Sequence, residues 1–309
     1  MPEGDTIRRL AEKITARFAG QRCVRSVTRD PRLTHSDFEG AFLTRADAVG
    51  KHLFIRFDDG RTLYAHLRLS GSFVVGPAAS EPAWRRRVEL WMEDGRLTGV
   101  DVPILGVVPT ADEDRLIGHL GPDLCGAEPP DLDEVTDRLQ RESETPLAGA
   151  LLDQRNVAGF GNLYAIELPF LVGVSPNQPV GSVDGLRELV AIGTALIRTN
   201  AARGPQNTTG RRLTTADHWV YARRGRPCPL CGTRLDGWDN RDSPWQRLST
   251  WCPGCQPLEA RRAVDLERAH RLLALHPARK EPSYPRLGGP SKSRVGETPK
   301  RSGGGELGR

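Results

Sequence analysis

Two Cys-x-x-Cys pairs constrain the fold of this chain more than any other sequence feature: Cys228 with Cys231, and Cys252 with Cys255. Twenty residues separate Cys231 from Cys252, a spacing typical of structural Zn²⁺ sites with four cysteine ligands. Four thiolates complete a tetrahedron, so the predicted metal stabilises a small finger and has no open position for catalysis. Two disulfides are the alternative interpretation, which a reducing compartment disfavours.

The segment between the two pairs contains Arg241 and Arg247 together with three tryptophans. The tryptophans suit the packing of a short hairpin, and an arginine guanidinium binds phosphate well. Either arginine taken alone is equally well explained as a solvated surface charge. The predicted finger is therefore a candidate phosphate-binding element.

Chain length and net charge restrict the possible folds and partners less than the cysteine pairs do. At 309 residues the chain can form two domains and an appendage. No apolar run reaches the roughly 18 residues of a membrane span, and the acidic N-terminus lacks the apolar segment of a signal peptide, so we expect a cytoplasmic protein. The net charge is +5, but residues 277–309 alone contain eight Lys/Arg and three acidic residues. A surface that binds a polyanion therefore depends on local arginine clusters, such as 85–87, 211–212 and 223–226.

The hydrophobic pattern changes once along the chain. Apolar residues of 6–19 have helical spacing, with Asp5 as the expected N-cap, and residues 22–110 contain short segments separated by turn sequences, which predicts a β-sandwich. After 126–131 the pattern is helical, and strands followed by helices favour an α+β chain with separate domains. We therefore predict a sandwich domain with its N-terminal helix over residues 1–127, a helical domain over 131–216 and the finger over 217–256. Residues 257–309 are predicted to form a helix at about 259–275 and then a basic, disordered tail.

The first residues contain a candidate nucleophile. Removal of Met1 exposes the secondary amine of Pro2, and an α-amino group with a pKa of about 8 is partly neutral at pH 7. A neutral amine attacks sugar or carbonyl carbon and forms a Schiff base. Glu3 beside it can act as a general acid if burial raises its pKa. The ordinary alternatives are a Met-Pro start without functional meaning and a glutamate favoured by the helix dipole.

Three further segments have both an ordinary and a functional interpretation. Lys51 follows a glycine at the start of a strand and is either a surface lysine or a phosphate contact. Leu69, next to Arg68 at a loop tip, is either a core residue or a wedge that fills the gap left by an extruded base. Asn162 begins a predicted helix after a glycine-rich turn. The free N–H groups at this helix N-terminus could bind phosphate, but a helical hairpin without a ligand has the same sequence pattern.

These motifs occur in one order along the chain. They are Pro2-Glu3, Gly50-Lys51, His66-Leu-Arg-Leu-Ser-Gly71, Leu151-Leu-Asp-Gln-x4-Gly-x-Gly-Asn162 and Arg247-x4-Cys252-Pro-x-Cys255-Gln256. The ordered set resembles the formamidopyrimidine-DNA glycosylase/endonuclease VIII family over about residues 1–256. The opening Pro-Glu-Gly-Asp-Thr and the segment Trp219-Val-Tyr221 are most similar to its actinobacterial endonuclease VIII branch.

The resemblance implies a bifunctional DNA glycosylase/AP lyase of base-excision repair that acts on oxidised pyrimidines. The implied fold has an N-terminal two-sheet β-sandwich, a helix–two-turn–helix domain and a zinc finger with one structural Zn²⁺. Double-stranded DNA with an oxidised or abasic lesion is expected between the two halves, with the damaged nucleotide flipped out. Such an asymmetric cleft needs no partner subunit, so we expect a monomer.

The resemblance also implies roles for single residues. Pro2 attacks C1′ of the damaged nucleotide, Glu3 donates a proton to the sugar, and Lys51 assists proton transfer and holds phosphate. The resulting iminium undergoes β- and δ-elimination, which nicks the strand. Arg247 is expected to hold the phosphates of the lesion and to assist δ-elimination. The residues expected to bind DNA are Asn162 at the backbone and Arg68 and Leu69 in the void-filling loop.

The sequence departs from the family pattern at several positions. Thr6 replaces a glutamate that many relatives have in the catalytic site, so Asp5 or water takes its role, or activity is reduced. Ser70 is short where relatives have a larger filler, and Leu120 replaces an arginine. The sequence therefore leaves two alternatives to a glycosylase for oxidised pyrimidines. One is a glycosylase for oxidised purines such as 8-oxoguanine, and the other is a non-catalytic protein that binds damaged DNA.

Overall fold

A computed structural model describes residues 2–33, 36–77, 80–210, 217–239 and 248–273. Several predictions fall outside these ranges: Arg211, Arg212, Arg241, Arg247 and the tail 277–309. Within the described ranges, no helix has both the length and the apolar composition needed to cross a membrane.

The first part of the chain is a helix, α1 (Gly4–Phe18), packed on two antiparallel four-stranded sheets. The strands are β1 (Cys23–Thr28), β2 (Leu43–Val49), β3 (His52–Phe57), β4 (Arg61–His66), β5 (Ser72–Gly76), β6 (Arg86–Met92), β7 (Gly95–Val100) and β8 (Ile104–Pro109). One sheet has the order β1-β6-β7-β5 and the other β2-β3-β4-β8. The predicted sandwich is confirmed.

The predicted apolar face of α1 holds the helix against the sheets. Ile7, Ala11, Ile14 and Phe18 are buried in the same hydrophobic core as the strands, because residues three and four apart share one side of a helix. The helix begins at Gly4 with Glu3 as its N-cap, so the expectation that Asp5 caps it is wrong. This difference of two residues places Asp5 inside the first turn.

Helices follow the sandwich. They are α2 (Asp114–Ile117), α3 (Leu132–Gln140), α4 (Leu147–Leu152), α5 (Asn162–Leu171) and α6 (Leu186–Arg203), with short 3₁₀ turns at Pro31–Leu33, Ala83–Arg85, Thr110–Asp112 and Val180–Ser182. The side chain of Asp131 caps α3 by accepting the backbone N–H groups of Asp133 and Glu134. Every residue of α5 after Asn162 is buried, so its polar side chains require partners inside the protein.

The C-terminal part contains two small ladders and a last helix. Strand β10 (Asp236–Asp239) pairs antiparallel with β11 (Leu248–Trp251), and β9 (Val183–Asp184) pairs parallel with β12 (Arg262–Ala263). The last helix within the described ranges, α7, spans Leu266–Leu273. The prediction of one helix over 259–275 is wrong in its first half, because residues 262–263 pair with β9 and Asp265 then accepts the backbone N–H of Arg268 at 2.8 Å.

A second hydrophobic core joins the helices to the cysteine finger. Trp219, Val220 and Leu235 lie in the same buried cluster as α5 and α6. Glu167 on α5 reinforces this contact, since its carboxylate accepts the backbone N–H groups of residues 219, 220 and 221 at 2.7–2.8 Å. The finger is therefore packed directly on the buried helix α5.

Candidate active site

Glu3 links the N-terminus to the helical part of the chain. Its side chain is fully buried, and its carboxylate oxygens accept the backbone N–H groups of Gly161 at 2.7 Å and Leu163 at 2.8 Å. These groups belong to the N-terminus of α5, which has no side-chain cap of its own. The carboxylate therefore satisfies orphan donors of a helix that lies far away in sequence.

Gly161 makes this contact possible. A Cβ atom at residue 161 would lie 2.5 Å from Cδ of Glu3, closer than any real carbon contact. The backbone of Gly4 also approaches closely, and its N–H donates to the carbonyl of Gly159 at 2.9 Å. The glycines of the 157–161 turn thus provide the space in which the first residues dock.

Burial raises the pKa of Glu3 to about 7, although the positive charge of Lys51 and the two backbone N–H groups act in the opposite direction. The negative charge of Asp5 raises it further. A carboxyl group with a pKa near neutrality is partly protonated at pH 7 and can both give and take a proton. Glu3 therefore has the protonation behaviour that a general acid needs.

Lys51 lies in the tight turn between β2 and β3. Gly50 before it has φ +54°, a left-handed conformation, and a Cβ there would lie 3.1 Å from Cβ of Ala158. This close approach brings the turn against the same 157–161 segment that receives Glu3. The charge of Lys51 lowers the pKa of Glu3, so the two side chains are close enough to interact electrostatically.

Pro2 is half-buried and directly precedes Glu3. Met1 lies outside the described residues. The nitrogen of Pro2 is consequently one residue from the buried carboxyl group, beside the docked N-terminal turn.

Arg68 and Leu69 extend from the loop after β4. The loop is a tight turn in which the N–H of Gly71 donates to the carbonyl of Leu67 at 2.9 Å, and Arg68 has φ +46°. Leu67 is buried, whereas the side chain of Leu69 is 60% exposed. Of the two interpretations of Leu69, the structure excludes a core residue and leaves an apolar side chain displayed to solvent.

Asn162 is the first residue of α5 and is half-buried. It stands between the two residues whose N–H groups bind Glu3. The structure therefore brings Pro2, Glu3, Lys51 and Asn162 to one region, with Arg68 and Leu69 on a separate exposed loop. Arg247 lies outside the described residues.

Asp5 and Tyr164 form a buried polar contact that the sequence analysis missed. The hydroxyl of Tyr164 donates to Oδ2 of Asp5 at 2.8 Å, and both side chains are fully buried. Burial raises the pKa of Asp5, and the tyrosine hydrogen bond opposes this shift. Thr6, the departure from the family pattern, donates to the same carboxylate through its backbone N–H and its hydroxyl. The available sequence signal was the presence of polar side chains, Tyr164 and Glu167, in the mostly apolar sequence of α5.

The four predicted zinc ligands come together. Their Sγ atoms all lie within 4.8 Å of one another, and the pairs Cys228–Cys255, Cys231–Cys252 and Cys231–Cys255 are 3.9, 3.4 and 3.5 Å apart. Tetrahedral zinc with Zn–S bonds of about 2.3 Å needs sulfur separations of about 3.8 Å. None of these cysteines forms a disulfide, so the donor set fits a closed metal site and the disulfide alternative is wrong.

Comparisons with known proteins agree with this geometry. Residues 1–106 match the formamidopyrimidine-DNA glycosylase N-terminal domain family. The chain is 40% identical over 264 residues to probable endonuclease 8 2 of Streptomyces coelicolor, covering 83% of this chain and 94% of the relative. It is 36% identical over 258 residues to the DNA-(apurinic or apyrimidinic site) lyase Nei2 of Mycolicibacterium smegmatis, covering 83% and 99%.

A solved structure with a similar fold is that of MutM in complex with carbocyclic 8-oxo-G containing DNA. The TM-score is 0.69 at 22% sequence identity, and the match covers 82% of this chain and 99% of that one. At this identity the similarity establishes the fold. It agrees with the two sheets and the helices described above.

Proposed function

The chain belongs to the formamidopyrimidine-DNA glycosylase/endonuclease VIII family of DNA glycosylase/AP lyases in base-excision repair, and from this we propose that it excises oxidised pyrimidines through a Schiff base on Pro2. The observation that carries the proposal is the buried Glu3 carboxyl group, with a pKa of about 7, directly after the candidate nucleophile. Identity is 36–40% to relatives named endonuclease 8 or Nei2, and 31–34% to those named formamidopyrimidine-DNA glycosylase. The higher identity to the endonuclease 8 and Nei2 relatives supports the proposal that this protein excises pyrimidines.

In the proposed mechanism the neutral amine of Pro2 forms a bond to C1′ while the C1′–N bond to the damaged base breaks, and the base leaves with the proton that the Pro2 nitrogen releases. Glu3 protonates the sugar ring oxygen, which opens the ring and yields an iminium between Pro2 and C1′. Loss of a proton from C2′ then expels the 3′ phosphate, and a second elimination expels the 5′ phosphate. Lys51, whose charge acts on Glu3, is suited to hold phosphate and assist proton transfer.

The other predicted residues have supporting roles in the proposal. Exposed Leu69 and Arg68 fill the space left by the extruded nucleotide, Asn162 contacts the DNA backbone, and Arg247 holds the lesion phosphates. Cys228, Cys231, Cys252 and Cys255 would hold one Zn²⁺, which stabilises the finger when bound. Residues 1–127 supply catalysis, 131–216 and 217–256 grip double-stranded DNA, and 257–309 form an appendage. We also propose that the protein acts as a cytoplasmic monomer associated with the nucleoid.

Borohydride trapping tests the proposal. The protein, with removal of Met1 confirmed, is mixed with borohydride and duplexes that contain thymine glycol, 8-oxoguanine or an abasic site. We expect a covalent adduct on the thymine glycol and abasic duplexes, because reduction fixes the iminium on Pro2. A form with an uncleaved N-terminal extension is the matched control, since the nitrogen of Pro2 is then an amide.

Other outcomes of the trapping experiment decide between the alternatives. An adduct on 8-oxoguanine in place of thymine glycol would move the protein to the purine branch. An adduct that persists in the extended form would exclude Pro2 as the nucleophile. DNA binding without any adduct would favour a non-catalytic protein.

A Gly161→Ala variant tests the docking of Glu3. The new Cβ lies 2.5 Å from Cδ of Glu3, so the carboxyl group has to move. We expect base excision to slow by about 100-fold, because small displacements of reacting groups have large rate effects. Unfolding free energy should fall by about 1–3 kcal/mol. Gly106→Ala is the control, since its Cβ would meet only Cδ1 of Tyr64, at 4.0 Å. Equal single-turnover rates for both variants would contradict the assigned geometry.

A further inference from the structure

Helix α7 carries a guanidinium group that has no carboxylate partner. Nη2 of Arg268 is buried, and no hydrogen bond from this atom is found among the described residues. Asp265, at the start of the helix, accepts only the backbone N–H of Arg268, at 2.8 Å, and the same ranges of the chain contain no ion pair with its side chain. Because a buried charge without a partner is costly, this cation requires an anion nearby.

Helix α5 and the glycine after it determine where Arg268 lies. Its Nε donates to the carbonyl of Phe170 at 3.1 Å, and its guanidinium carbon lies 4.8 Å from the centroid of the Phe170 ring. Gly173 provides the space, since a Cβ atom there would lie 3.4 Å from Cδ of Arg268 and 3.7 Å from the backbone oxygen of Cys255. Arg268 and the last cysteine of the finger therefore pack against the same glycine.

The side chain of Cys255 lies within reach of this guanidinium. Burial raises the pKa of the Cys255 thiol, and the interaction with the Arg268 side chain acts in the opposite direction. A neutral thiol is only a weak acceptor and leaves the N–H groups of an arginine poorly satisfied, whereas a thiolate forms a strong, charge-assisted hydrogen bond. In the described ranges no backbone N–H donates to Sγ of Cys255, although the N–H of Leu230 donates to Sγ of Cys228 at 3.5 Å.

A zinc site with four cysteine ligands has an excess of negative charge. The four thiolates carry four negative charges, of which Zn²⁺ neutralises two. Cys228 and Cys252 are buried in the same hydrophobic core as Ala269 and Leu272 of α7, so water offsets little of this excess on that side. Removing such a charge from water is costly unless donors or cations compensate for it. The unpaired cation of α7 therefore lies where the proposed metal site needs one.

We propose that Arg268 is an outer-sphere residue of the zinc site, where its guanidinium donates to the Cys255 thiolate and offsets part of the excess negative charge. The inference rests on the proposed Zn²⁺ site and does not depend on the chemistry at Pro2. Helix α7 lies beyond residues 1–256, over which the chain resembles its family. The C-terminal appendage of this protein thus contributes to holding the metal.

The affinity of the full-length protein for Zn²⁺ tests this role, measured by titration of the zinc-loaded protein with a chromogenic chelator. Arg268→Met keeps an unbranched stem against Phe170 but has neither charge nor donor. We expect it to bind Zn²⁺ about 10- to 100-fold more weakly, the usual effect of losing an outer-sphere partner. Arg268→Lys keeps the charge and should retain more of the affinity. Arg271→Met is the matched control and should bind like wild type, because Arg271 is on the same helix but exposed, with Glu267 as its ion-pair partner.

Alkylation of the cysteines separates the loss of a hydrogen bond from a general loosening of the finger. The zinc-loaded protein is treated briefly with iodoacetamide, and the singly alkylated sites are identified by mass spectrometry. A thiolate that loses a charged donor is more basic and therefore a stronger nucleophile. The ratio of alkylation at Cys255 to alkylation at Cys231 should rise in Arg268→Met. In a finger that is only loosened, both cysteines would react faster and the ratio would stay the same.

The outcomes distinguish this inference from the metal site on which it rests. A wild-type protein that takes up Co²⁺ without the absorption of four-thiolate coordination would reject the zinc site itself. A four-thiolate Co²⁺ spectrum, together with equal Zn²⁺ affinities of wild type and Arg268→Met, would reject only the role of Arg268. Equal losses of affinity in Arg268→Met and Arg268→Lys, with an unchanged alkylation ratio, would make Arg268 a packing residue of α7 and not a charge partner of the cysteines.

Discussion

Glu3→Gln is expected to lower the rate of base excision by about 100- to 10,000-fold, the usual contribution of a general acid. Glutamine has nearly the same shape, but it has no proton to give at neutral pH. It can accept from only one of the two N–H groups, those of Gly161 and Leu163, that the carboxylate satisfies. Binding of a duplex with a non-cleavable abasic analogue should change far less than the rate, because the residues proposed to bind the DNA backbone are others.

The pH profile separates this role from a structural one. The protonated fraction of Glu3 falls as the pH rises through about 7, so wild-type single-turnover excision should decline on the alkaline side. This limb should be absent in Glu3→Gln. Glu12→Gln is the matched control, because Glu12 is on the same helix but exposed in an ion pair with Arg8. Wild-type kinetics in Glu3→Gln would remove Glu3 from the chemistry.

The raised pKa of Glu3 also has a consequence for stability. The folded protein binds this proton more tightly than the unfolded chain does, since the pKa rises from 4.5 to about 7 on folding. The free energy of unfolding therefore loses this contribution as the pH rises from about 4.5 through about 7. Denaturant titrations at pH 4 and pH 8 check this. Between these two pH values the free energy of unfolding of the wild-type protein should fall more than that of Glu3→Gln.

Loss of the proposed metal site is expected to have the second large effect. Structural zinc contributes about 10–16 kcal/mol to the folding of small fingers, so Cys252→Ser or chelation should unfold residues 228–255 and abolish zinc binding. The damage should spread to α5, because Trp219 and Val220 share its core and Glu167 would lose three backbone donors. The hydroxyl of Thr208 would remain as a donor to this carboxylate, but a buried charge that loses three hydrogen bonds is strongly destabilising.

This outcome is measured by zinc content, tryptophan near-ultraviolet circular dichroism and binding to duplex DNA. We expect all three signals to fall in Cys252→Ser. Cys23→Ala is the control, because Cys23 is buried in the sandwich core and lies outside the sulfur cluster. A Cys252→Ser protein that retains one equivalent of zinc and wild-type DNA affinity would show that the four sulfurs do not form the metal site.

The cysteine cluster and several elements of the fold could be predicted from the sequence because they depend on short-range patterns. The two Cys-x-x-Cys pairs form knuckles by local geometry, and α1 packs through a face that its apolar spacing defines. The turn at Gly60 between β3 and β4 follows from the same kind of local signal. The order of strands and helices likewise indicated an α+β chain, as the structure confirms.

Other features depend on contacts between distant residues, which periodicity cannot encode. The last predicted helix is shorter than expected because residues 262–263 pair with β9, which lies about eighty positions earlier in the chain, and the helix starts only after Asp265. The exposure of Leu69 depends on how the 67–71 turn closes over buried Leu67. Local sequence alone permits either a core residue or a wedge.

The sequence by itself determined which candidate groups this protein offers for the proposed chemistry: the nitrogen of Pro2, the carboxyl group of Glu3, the ammonium group of Lys51 and four thiols that could hold a metal. Only the tertiary structure decided what those groups can do. The carboxylate of Glu3 reaches backbone donors 158 and 160 residues away, and Asp5 holds an amide 201 residues away. The pKa of about 7 follows from that burial, because removal of water from a carboxylate disfavours its charge, and burial is a property of the whole packed chain.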